Sequence, residues 1–142
     1  MDYLDQLDKM FDAEYRLVTI ETEEPRRVEE LISQLSRFSN KAYYHSRPGQ
    51  ALYRFGTSHI EIPRTIEPKD VLSHIDISRH FGVYILQDFH PALENRQLIQ
   101  QLKEIIVGDI DKVVVLLSEH IDLPAELKPF ALRSRHKLRD AS

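Results

Sequence analysis

Two short runs, Val83–Leu86 (VYIL) and Val113–Leu117 (VVVLL), are apolar without interruption. A strand with one wet face alternates apolar and polar residues, so an unbroken run belongs to a strand covered on both faces. Covering both faces takes a layer of helices on each side, and helical crossovers make the strands parallel. The rest of the pattern agrees. Leu4, Leu7, Met10 and Phe11 recur at helical spacing within residues 2–13, and Val28, Leu31, Ile32 and Leu35 do so behind Pro25. Val71, Leu72 and Ile75 mark a helix begun by Pro68 and expected to end near Gly82. Leu98, Ile99, Leu102, Ile105 and Ile106 mark a longer one that stops at Gly108. Strands are expected at Tyr15–Ile20 and Ala42–His45, with Ala131–Leu138 as an edge strand; Leu52–Phe55 reads as extended. A short helix is expected to begin within Pro124–Leu127. The fold class is α/β, a mostly parallel sheet flanked by helices.

Length and composition bound the function. The 142 residues suit one domain, read as 1–142, and 42% apolar with 30% charged residues argues against disorder. No run approaches the roughly 18 apolar residues of a membrane span, and no signal peptide is visible. The absence of cysteine excludes disulfides and thiolate chemistry and fits a cytoplasmic protein. Charge is uneven: residues 1–30 hold ten acids against four bases. Arg133, Arg135, Lys137 and Arg139 form a basic tail. With an overall charge of −4, that tail reads as a solvated end, and the balance argues against nucleic acid as the partner.

In a parallel sheet the working edge lies at the carboxyl ends of the strands. The candidate residues are therefore those that follow the apolar runs. Asp88 follows VYIL as a carboxylate follows a Walker B strand, where it would organise Mg²⁺ around a triphosphate; otherwise it caps the next helical turn. Ser118 ends VVVLL in a sensor-like position. Glu23, Glu24, Phe89, His90, Glu119 and His120 complete a rim suited to protein contact, with Phe89 as an exposed anchor. His90 and His120 could meet with Asp88 and Glu119 around a divalent ion, but no histidine pair has metal-ligand spacing, so no metal site is expected. The partner motif is missing. A phosphate loop needs G-x-x-x-x-G-K-[ST] between strand and helix, whereas the first strand here is followed by Glu21–Thr22–Glu23–Glu24–Pro25, and the four glycines stand apart.

Three segments carry a family likeness: RLVTIETEEPRRVEEL (16–31), GVYILQDFHPALENRQLIQQLKEI (82–105) and KVVVLLSEHIDLPAELKPF (112–130). Their order resembles the amino-terminal half of the AAA-type ATPases known as hypothetical chloroplast reading frame proteins. The resemblance implies a P-loop NTPase-like domain without a P-loop, the working nucleotide site lying in a separate AAA module. It implies a non-hydrolytic AAA-like domain acting in protein interaction, assembly or regulation, with a protein partner or an AAA module and no cofactor. The alternative is a nucleotide-binding or ATPase domain, or a fragment of one, whose site is completed elsewhere; only there would ATP and Mg²⁺ be needed. Self-association stays open.

Overall fold

Both apolar runs lie inside the sheet, side by side. The computed structural model describes residues 2–12, 15–56 and 60–136. VYIL begins strand β4 (Val83–Gln87) and VVVLL begins β5 (Val113–Ser118), paired in parallel with Val83 opposite Val113. On the far side of β5 runs β1 (Leu17–Thr22), also parallel, followed by β6 (Ala131–His136) at the edge. Beyond β4 come β2 (Tyr43–Ser46) and the short antiparallel β3 (Tyr53–Arg54), giving the order β3-β2-β4-β5-β1-β6.

Alternate residues of one strand serve opposite cores. Val83 and Ile85 of β4, with Val113, Val115 and Leu117 of β5, face helices α1 (Tyr3–Asp12) and α2 (Pro25–Phe38). Tyr84, Leu86, Val114 and Leu116 face α3 (Pro68–Ile77) and α4 (Arg96–Ile106). Strand β1 is equally buried, with Leu17, Val18 and Ile20 inaccessible to solvent. Each helix supplies one stripe: Val28, Ile32 and Leu35 from α2, Val71, Leu72 and Ile75 from α3. Asn95 starts α4 by accepting the Gln97 amide at 2.8 Å. The connection from β2 to α3 is tied by Thr65, whose hydroxyl accepts from the Leu52 amide and donates to the Ile62 carbonyl.

Several boundaries differ from expectation. Helix α3 ends at Ile77, where Ser78 turns extended, and not near Gly82. Gly82 serves packing: a Cβ there would come within 3.0 Å of the Tyr84 ring. The first strand starts later than Tyr15, because Tyr15 lies outside the sheet and half exposed. The Pro124–Leu127 helix is a 3-10 turn, Ala125–Phe130, with Pro129 inside it. The edge strand is seen as Ala131–His136; Leu138, Lys137 and Arg139 lie outside the described residues. No helix among the described residues is long and apolar enough to cross a membrane.

Candidate functional site

Five strands are parallel, so their carboxyl ends, and the turns that follow β1, β2, β4 and β5, gather at one edge. The β1–α2 turn stands where a strand-loop-helix phosphate site would be. Thr22 closes it: its hydroxyl accepts the Glu24 amide and sits 3.0 Å from His136 Nδ1. The Glu21 carboxylate accepts the Ile121 amide at 2.9 Å and lies 3.4 Å from His120. Glu23 is exposed, whereas Glu24 starts α2 without a side-chain cap and turns one buried carboxylate oxygen inward. Burial pulls His136 below its ordinary value, with the Glu24 carboxylate opposing that shift.

The strands β4 and β5 bring Asp88 and Ser118 together. The Ser118 hydroxyl donates to Asp88 Oδ1 at 2.7 Å, and the Asp88 amide donates to the Leu117 carbonyl. Asp88 has φ of 54°, the left-handed region that ordinary side chains avoid. The expected cap is therefore corrected: Asp88 does not cap the 3-10 turn at His90–Glu94, whose cap position is Phe89 and carries no side-chain bond, and the Asp88 carboxylate holds Ser118 instead. The exposed anchor is corrected too. Phe89 is 8% exposed and belongs to the core under α3 and α4, because the sharp turn at Asp88 aims the next side chain inward. His90 and His120 do not assemble a metal site. His120 leans on Glu21, His90 keeps a buried Nδ1, and no group of three ligating side chains forms among the described residues. Glu119 is exposed, as are Arg133 and Arg135 on β6.

A cavity of about 370 Å³ opens beside this turn. Ser46, Arg47, Ile66, Val71, Asp88 and Phe89 line it, so an apolar floor meets a polar mouth. Just behind lies a polar group that the sequence reading passed over. His45 is fully buried on β2, with Tyr53 Oη 2.6 Å from Nδ1 and Gln87 Oε1 3.1 Å from Nε2. Glu29 of α2 lies 3.4 Å from it and pairs with Arg47 at 2.7 Å. Burial holds the imidazole below its usual value, against the upward pull of Glu29. The only sequence signal was the two-residue period that sets His45 on the same face as buried Tyr43.

Sheet order and helical layers define a P-loop NTPase-like fold. The chain belongs to the family of SpoVK-like AAA ATPase N-terminal domains, whose model matches residues 3–133. That places it among AAA ATPase amino-terminal domains, as expected; the hypothetical chloroplast reading frame type does not emerge. No curated protein matches the chain. Among solved structures, a chain from the structure of Drosophila ORC bound to AT-rich DNA and Cdc6 is similar, with a TM-score of 0.55 at 11% identity. The match covers 98% of this chain and 28% of that one, a likeness of fold.

Proposed function

We propose that this domain binds no triphosphate of its own and works through protein contact, in assembly or regulation alongside an AAA module. The observation that carries the reading is the β1–α2 turn. Triphosphate binding needs free backbone amides and a lysine. Here the Glu24 amide is taken by Thr22, the turn has neither glycine nor lysine, and Glu21, Glu23 and Glu24 give it three carboxylates that would repel a triphosphate. The donor set does not fit a nucleotide. What the edge offers instead is a contact surface: the cavity beside Asp88, an acidic rim and exposed His120. Calorimetric titration with ATP and Mg²⁺ tests this; no heat of binding and no phosphate release are expected.

The second reading, an ATPase fragment whose site is completed by another subunit, draws on one observation. The Ser118–Asp88 bond joins the Walker B-like and sensor-like positions across neighbouring strands. ATP turnover that Asp88→Asn abolishes would favour it over the first.

A further inference from the structure

Large exposed apolar side chains are concentrated at the opposite edge of the sheet, where the strands begin. Among the described residues eight such side chains are exposed, and all but Ile60 and Ile66 lie just before a strand or at the end of the helix preceding one. The densest part spans the α3–β4 and α4–β5 connections, which two inner neighbouring strands hold side by side. These connections repeat each other. Ile77 ends α3 and Val107 follows the last residue of α4, with 74% and 66% exposure; Phe81 and Ile110 precede β4 and β5, each at 38%. Between the apolar pairs sits one charge per connection, Arg79 in the first and Asp109 in the second. Neighbouring charges are engaged: Asp111 pairs with Arg16, and Lys112 is held by the Asp76 carbonyl beside the Asp76 carboxylate.

We infer that this edge is a self-association face, on which a second copy of the chain docks about a two-fold axis running between the starts of β4 and β5. A two-fold there lays each connection against the other one of the partner. It sets Phe81 on the partner's Ile110, Ile77 on the partner's Val107 and Arg79 beside the partner's Asp109. The apolar pairs leave water, and each cation meets an anion twice over. A membrane or nucleic acid would find no matching charge here, since the patch carries both signs. The face lies opposite the Asp88 rim, so a dimer leaves that rim open.

Sedimentation velocity across a micromolar concentration series tests the inference on the full chain. A concentration-dependent dimer is expected. Arg79→Asp and Asp109→Arg should each weaken it by at least about tenfold, because like charges then face each other twice. The double variant should restore it, and circular dichroism should show all three folded. A monomer at every concentration, or a dimer indifferent to both reversals, would overturn the inference. The chain has no cysteine, which allows a second measurement. Phe81→Cys mixed with Ile110→Cys should give oxidised heterodimers in preference to either variant alone; equal yields would count against the two-fold.

Discussion

His45 is held neutral by its surroundings, and that has a consequence for acid stability. Its Nε2 donates to Gln87, which leaves Nδ1 to accept the Tyr53 hydroxyl in the neutral ring, and burial makes the charged ring costly. The folded imidazole titrates below 6.5, the ordinary value that the unfolded chain keeps. As pH falls below 6.5 the unfolded state binds the extra proton first, so stability drops until the lowered folded value is passed. His74 and His136 shift the same way. Melting temperature should therefore fall with acidification, and His45→Gln should show a shallower fall from a baseline lower by about 1–3 kcal/mol. An unchanged slope in that variant would remove His45 from the account. Phe89 gives a second test at this scale. Truncation to alanine should cost about 3–5 kcal/mol, since the ring is packed in the core. Asp88 gives a third. Asp88→Ala loses the Ser118 bond and keeps the left-handed strain, whereas Asp88→Gly loses the bond and relieves the strain. Denaturant unfolding should rank glycine above alanine by about 1 kcal/mol.

At the scale of elements, Arg16 joins two layers that the chain forms far apart. Its guanidinium donates to the Ile106 and Gly108 carbonyls at the end of α4 and to Asp111, while its own backbone carbonyl accepts the Val114 amide. A cation on the unsatisfied carbonyls of a helix end is stabilising, and this one also aligns β1 with β5. Arg16→Ala should lower stability by about 1–2 kcal/mol in denaturant unfolding. Lysine should recover only part, because it cannot spread donors over three acceptors. Helix and strand identities were legible in the chain, since apolar periods of 3.6 and runs without alternation survive any packing. Their ends were not. Helix α3 stops at Ile77, where Ser78 turns extended and gives its amide to the Ile75 carbonyl, and no glycine or proline announces that end.

For the whole molecule, one sheet serves both cores, so the two helical layers cannot unfold separately. Ile32→Ala in α2 and Leu102→Ala in α4 should each cost about 2–5 kcal/mol and leave one cooperative transition, seen identically by fluorescence and circular dichroism. Two transitions would separate the layers. Sequence alone determined the α/β class, the burial of VYIL and VVVLL inside a parallel sheet and the missing phosphate-loop residues, because each rests on residue type and short-range spacing. The tertiary structure decided the rest. It turned Phe89 inward, joined Asp88 to Ser118, set His120 against Glu21 and buried His45 against Glu29 and Gln87, residues 16 and 42 positions away in the chain. Those outcomes depend on which strand lies beside which and on the direction a turn leaves it. Such long-range geometry is set by burying two apolar layers at once, and no short window of sequence contains it.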